Sequence, residues 1–231
     1  HGKSVLEQFY RCLTPEQLST IKVVTGDGAK WITECVNEYT PDCERCVDPF
    51  HVVEWAMEAL DEVRREVWRE AYNEAQELSK ANPRGKGRPR ADDPIMPIIK
   101  AAQAKANEIK NSFYALGKAP ENLTEKQQLR VELIAATNNK LYRAYKLKEK
   151  LRLLLKIKDL EEAGAELKSW LWWASHCRIP AFVELNKKIR RHQEHILNTI
   201  RLGLSNARIE ATNNKIKLIV RKAYGFRNMQ N

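Results

Sequence analysis

The chain has 231 residues, of which 43% are hydrophobic and 30% are charged, and no apolar run is long enough to span a bilayer. This composition excludes a membrane-spanning protein, while the length allows a sizeable hydrophobic core. The formal net charge of +10 favours a polyanionic partner over a neutral one. Five cysteines without the spacing of a secreted scaffold, and no signal peptide, predict a reducing cytoplasm.

The first fifty residues predict a strand–helix–strand unit. Residues 3–20 suit a short amphipathic helix, and "VVTG" at 23–26 suits a buried strand that ends at Asp27. A helix over 29–39 and a second short strand ending at Asp48 follow. So short a connection through a helix implies parallel strands, whose carboxyl ends share one edge of a sheet. We therefore expect Asp27 and Asp48 to lie at the same edge.

From His51 onward the pattern is almost wholly helical. The segment 82–94 interrupts it with prolines, glycines and a basic cluster, so it predicts a loop. Helical pattern resumes near Ile95, breaks again at "LGKAPENLT", and then carries a stripe that runs from Leu141 to Ile157. The chain therefore predicts an α/β fold with a large all-α insertion.

The last predicted helix starts at about Ser205 and carries a polar face. That face consists of Glu210, Asn214, Lys217 and Arg221, which follow one another at helical spacing. A carboxylate near the start of a helix is favoured by the helix dipole. On spacing alone an ordinary solvated face explains the same pattern.

Four stretches together carry a resemblance to a known family. They are "HGKSVLEQFY", "VVTGDGAKWI", "CVDPFHVVEWAMEALDEVRREVW" and "LSNARIEATNNKIKLIVRKAYGFRN". In this order they resemble the catalytic part of bacterial insertion-sequence transposases of the Asp-Asp-Glu (DDE) type with the DxFHV signature, an ISL-type family. The resemblance implies a ribonuclease H-like fold, of which the chain would hold a part.

The resemblance implies a role for each acid. Asp27, in preference to Asp48, matches the second Asp of the triad, and Glu210 matches the Glu. Asp27 and Glu210 would bind Mg²⁺ or Mn²⁺ in a two-metal site. Asp48 belongs to the signature and is a candidate accessory acid, while His51 and Asn214 are candidates for orienting the acids. The implied domains are the end of the ribonuclease H-like sheet (1–52), a helical insertion (53–200) and the catalytic helix (201–231).

The implied activity is metal-dependent cleavage and strand transfer of an insertion sequence. The first three strands and the first Asp would precede residue 1, so we expect a fragment that is inactive by itself. The implied partners are double-stranded DNA at transposon ends and target, and further copies of the chain, in the bacterial cytoplasm at the nucleoid. The alternative is a non-catalytic, basic helical module from a decayed element, which binds DNA or assists assembly.

Several basic and metal-ligating groups remain as candidates for binding. Lys217 and Arg221 are expected to hold DNA phosphates, as are Arg84, Lys86, Arg88 and Arg90 in the loop and the run Lys146, Lys148, Lys150 and Arg152. Cys43 and Cys46 invite a zinc site but lack a second pair, so we expect core cysteines. The tryptophans at 170, 172 and 173 suit helix packing better than stacking on DNA bases.

Overall fold

The computed structural model describes residues 2–83, 93–204, 214, 215, 218 and 219. Helices dominate, and a short 3₁₀ helix spans Pro120–Asn122. In chain order the other elements are α1 (Lys3–Arg11), α2 (Pro15–Thr20), β1 (Val23–Gly26), α3 (Lys30–Tyr39), β2 (Glu44–Val47), α4 (Pro49–Ala81), α5 (Ile95–Lys110), α6 (Phe113–Gly117), α7 (Glu125–Thr137), α8 (Asn139–Leu154), α9 (Leu160–His176), α10 (Pro180–Arg191) and α11 (Gln193–Leu202).

The single helix predicted over residues 3–20 is wrong, because the structure has two helices there. Thr14 begins α2 with a capping box, in which the Gln17 amide donates to Thr14 Oγ1 (3.3 Å) and the Thr14 amide donates to Gln17 Oε1 (2.9 Å). Pro15 at the first helical position cannot donate a backbone hydrogen bond to the preceding turn. The threonine–proline pair therefore ends one helix and starts the next.

The predicted strand–helix–strand unit is confirmed. β1 and β2 pair in parallel, with Val23 opposite Glu44 and Gly26 opposite Val47, and α3 connects them. Within the described ranges these two strands form the whole sheet. The α/β expectation therefore holds in a coarse form, as a mostly helical chain with a small parallel sheet.

α11 covers the edge of β2 that faces away from β1. Thr199 Oγ1 donates to the Val47 carbonyl (2.7 Å), and Asn198 Nδ2 donates to the Arg45 carbonyl (3.3 Å). These two side chains satisfy backbone groups that an edge strand would otherwise leave open. Gly203, at φ 62°, ends the helix in the left-handed conformation that glycine adopts without a steric penalty.

The stripe predicted from residue 141 is the buried face of α8. Leu141, Leu147, Leu151 and Leu154 are each at most 1% exposed. Asn138 separates α8 from α7, and its Oδ1 accepts a hydrogen bond from the Leu141 amide (2.9 Å). The helical pattern that follows "LGKAPENLT" is thus divided between two helices, and the stripe ends before residue 157.

The chain divides into two compact units. The first comprises residues 1–52, 155–164 and 191–231, and the second comprises 53–154 and 165–190. The sheet, α1–α3 and α11 lie in the first unit, while α5–α8 lie in the second. In neither unit is any helix of the described residues both long enough and apolar enough to cross a bilayer.

Candidate active site

Asp27 and Asp48 occupy neighbouring positions just beyond the carboxyl ends of the two strands. Each follows the last residue of its strand, and the Asp48 amide donates to the Gly26 carbonyl (3.0 Å). The expectation that both acids lie at one edge of the sheet is confirmed. Functional groups of parallel sheets gather at such an edge, because the loops after the strands converge there.

Asp27 is exposed, and a local turn holds its carboxylate. Its Oδ1 accepts a hydrogen bond from the Ala29 amide (2.9 Å), two residues along the chain. This turn leads directly into α3, which begins at Lys30. The bond fixes the carboxylate while the side chain stays open to solvent, where it can bind a ligand.

Asp48 is 2% exposed and begins α4. Its Oδ1 accepts from the Phe50 amide (3.1 Å), whereas Oδ2 is buried and has no hydrogen-bond partner in the described part of the chain. A buried carboxylate oxygen without a donor is costly, so this atom calls for a cation or a proton donor. Asp48 is therefore both a helix cap and an incomplete polar site.

Arg45, in β2, reaches the main chain of Asp27 with its guanidinium. This residue was not predicted from the sequence as part of the site. It is 5% exposed, and its guanidinium donates to three carbonyls, those of Val24 (3.4 Å), Cys46 and Asp27. Burial lowers the pKa of Arg45, and the nearby Asp27 carboxylate opposes this shift. The only available signal was a charged residue within a strand whose other members are mostly apolar.

The comparisons with known proteins agree on one family. A family model for DDE transposases of the ISL3 type, described as "Transposase", matches residues 1–231. The chain belongs to this transposase family. It is 43% identical over 231 residues to a transposase for insertion sequence element IS1557 from Mycobacterium tuberculosis, covering all of this chain and 50% of that protein.

A more distant transposase shows the same coverage. The transposase for IS1001 from Bordetella parapertussis is 26% identical over 230 residues, covering 99% of this chain and 50% of that protein. The chain thus spans about half the length of the transposases it matches. No solved structure gives a match.

Several of the predicted site residues lie outside the described part. They are Glu210, Lys217, Arg221, Arg84, Lys86, Arg88 and Arg90.

Asn214 is described, and it is helical and exposed. His51 is half-buried in the first turn of α4, and its amide donates to the Asp48 carbonyl (3.1 Å). Among the described residues, no group of three or more His, Cys, Asp or Glu side chains is placed to hold a metal.

The basic run on α8 does not form the phosphate-binding surface that we expected. Lys148 is 1% exposed and pairs with Glu149, and Arg152 pairs with Glu149 and Glu121. Lys150 is bound to Glu166 at 3.1 Å. As a four-residue surface the expectation is wrong, because Lys148 is buried in the helix packing while Lys146 is exposed.

The tryptophans of α9 differ in their environments. Trp170 is fully buried and donates from Nε1 to the Leu147 carbonyl (2.9 Å), as the packing interpretation predicts. Trp172 is 66% exposed and stacks on His176, with ring centroids 4.8 Å apart. Of the described tryptophans in this cluster, Trp172 alone has the exposure that stacking on a DNA base requires.

Of the two cysteines predicted to be core residues, Cys46 is buried and Cys43 is half-buried. Cys35 and Cys46 are fully buried, and burial raises the pKa of both thiols. Cys43 directly precedes β2, and its thiol contacts Thr40 Oγ1 (3.3 Å). A raised thiol pKa disfavours the thiolate that zinc requires.

Proposed function

We propose that this chain supplies two of the three acids of a DDE transposase active site, in which Asp27 and Glu210 bind divalent cations. The observation that carries the proposal is the exposed carboxylate of Asp27 at the carboxyl end of β1, beside Asp48. Membership of the ISL3-type transposase family supports the same assignment. The reaction is cleavage of DNA at transposon ends and joining of the 3′ end to a target.

The residues at this edge fit Mg²⁺ or Mn²⁺. Asp27 offers a hard carboxylate oxygen that is exposed to solvent, and Asp48 offers one without a hydrogen-bond partner in the described part of the chain. When bound, two such cations activate the attacking oxygen and stabilise the leaving oxygen in phosphoryl transfer. Neither a histidine nor a thiolate ligand is needed.

Each candidate site residue has a defined task in this proposal. Asp27 and Glu210 hold the cations, Asp48 adds negative charge at the same edge, and His51 and Asn214 orient the acids. The turn from Asp27 to Ala29 fixes the Asp27 carboxylate before DNA binds. Such preorganisation lowers the cost of assembling the site.

The side of β1 that faces away from β2 supports a larger, ribonuclease H-like sheet. Lys22 and Gly26 direct their carbonyls to β2, so the alternate residues Val23 and Thr25 direct theirs away from it. Within the described residues, no hydrogen bond reaches the outward main-chain groups of Val23 and Thr25. A strand that carries the first Asp of the triad would pair there and bring its carboxylate next to Asp27.

The basic groups of the chain bind the DNA backbone. The net charge of +10 attracts a polyanion, and Lys217 and Arg221 share the predicted helix face of Glu210. Arg84, Lys86, Arg88 and Arg90 form a second basic segment. Double-stranded DNA is the partner, and a pair or more of chains act together on the two transposon ends in the bacterial cytoplasm.

Replacing Lys217 with glutamine is expected to reduce the salt dependence of DNA binding. Loss of one phosphate contact lowers the slope of log K against log [salt] by about 0.9. Lys187 is the matched control, because it is exposed and pairs with Glu184 at 2.6 Å, so Lys187→Gln should leave the slope unchanged. Equal slopes for Lys217→Gln and the parent chain, measured by fluorescence anisotropy, would contradict this contact. Salt-independent binding by the parent would contradict the DNA partner itself.

A further inference from the structure

Arg45 lies across the main chain that leads into Asp27. It pairs with Val24 in the register of the sheet, so its side chain lies on the same face as those of Val24 and residue 26. Residue 26 is a glycine, and a Cβ built there would lie 3.6 Å and 3.7 Å from the two terminal nitrogens of Arg45. The guanidinium therefore packs directly against Gly26, one residue before Asp27.

The guanidinium ties main-chain carbonyls of both strands to the turn that follows β1. Nη1 donates to the carbonyls of Val24 and Cys46, and Nη2 donates to the Asp27 carbonyl. A planar group with several fixed donors can bridge three carbonyls in this way, whereas an ammonium group cannot reproduce the geometry. Arg45 thus fixes the main chain of Asp27, and the Ala29 amide fixes its carboxylate.

The Asp27 carboxylate also favours the charged form of Arg45. In the described ranges no carboxylate oxygen lies within ion-pair distance of Arg45, and the Asp27 carboxylate is the leading electrostatic influence that favours the charged guanidinium. His195, on α11, adds no second positive charge beside Arg45, because burial and the charge of Arg45 lower its pKa. A buried cation without a close acid carries a desolvation cost. The three hydrogen bonds that Arg45 donates to carbonyls compensate for only part of that cost.

We propose that Arg45 is a positioning residue for Asp27: it holds the main chain at the end of β1 so that the carboxylate faces the metal site. This inference rests on the proposed function where it concerns metal, since the role of Asp27 as a ligand is part of that proposal. Arg45 itself is 5% exposed, so in this proposal it contacts neither cation nor DNA. Groups that orient metal ligands in this way typically contribute 10–100-fold in metal affinity.

The test is amide hydrogen exchange by NMR in the purified chain carrying Arg45→Lys, which keeps the charge. We expect the Ala29 amide to exchange about tenfold faster, because its acceptor Asp27 is no longer held. The Glu44 amide, which donates to the Lys22 carbonyl at the opposite end of the sheet (2.9 Å), should change by less than about twofold. Binding of Mn²⁺, followed by electron paramagnetic resonance, should weaken by about 10–100-fold.

A second pair of variants leaves Arg45 intact in case Arg45→Lys does not fold. Gly26→Ala places its methyl at ordinary contact distance from the guanidinium, so Ala29 exchange should be unchanged. Gly26→Val adds methyl groups where the guanidinium lies, so it should accelerate Ala29 exchange as Arg45→Lys does.

The outcomes separate this inference from the proposed function. Unchanged Ala29 exchange in a folded Arg45→Lys chain would overturn it, as would equal acceleration at Ala29 and Glu44, which indicates general destabilisation. Faster Ala29 exchange with unaltered Mn²⁺ binding would support Arg45 as the residue that holds Asp27 and would count against Asp27 as a metal ligand.

Discussion

Asp27→Asn is expected to weaken Mn²⁺ binding by the chain at least about 100-fold, more than the loss of an orienting group would cause. The amide of asparagine has the same shape as the carboxylate but no negative charge, and hard cations prefer charged oxygen ligands. The Ala29 amide can still donate to the side-chain oxygen of asparagine, so the turn should persist. Titration followed by the Mn²⁺ paramagnetic signal measures the loss.

Asp42→Asn provides the matched control for this prediction. Asp42 is also exposed and also in the first unit, but it lies before β2, at the end of the sheet opposite to Asp27. The change in net charge is identical, so a non-specific electrostatic effect would appear in both variants. Equal Mn²⁺ affinities for the two variants would contradict a specific site at Asp27.

Glu149→Ala is expected to destabilise the chain by about 3–5 kcal/mol, because it leaves a buried lysine without its partner. The side chains of Lys148 and Glu149 are 1% and 7% exposed, and Lys148 Nζ has one further acceptor, the Lys118 carbonyl (3.4 Å). Arg152 also donates to Glu149, at 2.8 Å. Urea unfolding followed by far-ultraviolet circular dichroism gives the free energy of unfolding.

Glu184→Ala removes a surface partner for comparison. The side chains of Lys187 and Glu184 are 64% and 69% exposed and form an ion pair at 2.6 Å. Loss of this ion pair should lower the free energy of unfolding by no more than about 1 kcal/mol. Replacing Lys148 by Met together with Glu149 by Leu should recover most of the stability lost in Glu149→Ala, because no uncompensated charge remains. Equal, small effects of Glu149→Ala and Glu184→Ala would show that Lys148 reaches solvent.

The strand–helix–strand unit could be predicted because its signals are local. Two short strand-like runs each end at an acid, and the short helical connection between them implies parallel strands. This placed Asp27 and Asp48 at one edge without any structure. The break at Thr14 was equally local, since a threonine before a proline with a glutamine three residues later is a capping box.

The missed features depend on contacts between residues far apart in sequence. Asn198 and Thr199 have the composition of a solvated helix face, yet they bond to carbonyls of β2 about 150 residues earlier. Arg45 has its function only because carbonyls from two strands converge on it. Lys148 belongs to a run of basic residues whose sequence suggests an exposed face. Its burial depends on the ion pair with Glu149 and on the hydrogen bond to the Lys118 carbonyl. Periodicity alone cannot report such pairings.

Asp27 and Glu210 are proposed to bind cations in one site, and localised cleavage of the protein by bound iron tests this most directly. Fe²⁺ that replaces Mg²⁺ cuts the main chain next to its ligands when ascorbate and peroxide are added, and mass spectrometry locates the cuts. We predict cuts near residue 27 and near residue 210 in the same chain, suppressed by Mg²⁺ and lost together in Asp27→Asn and in Glu210→Gln. Cuts near residue 27 that persist unchanged in Glu210→Gln, with none near residue 210, would contradict the shared site.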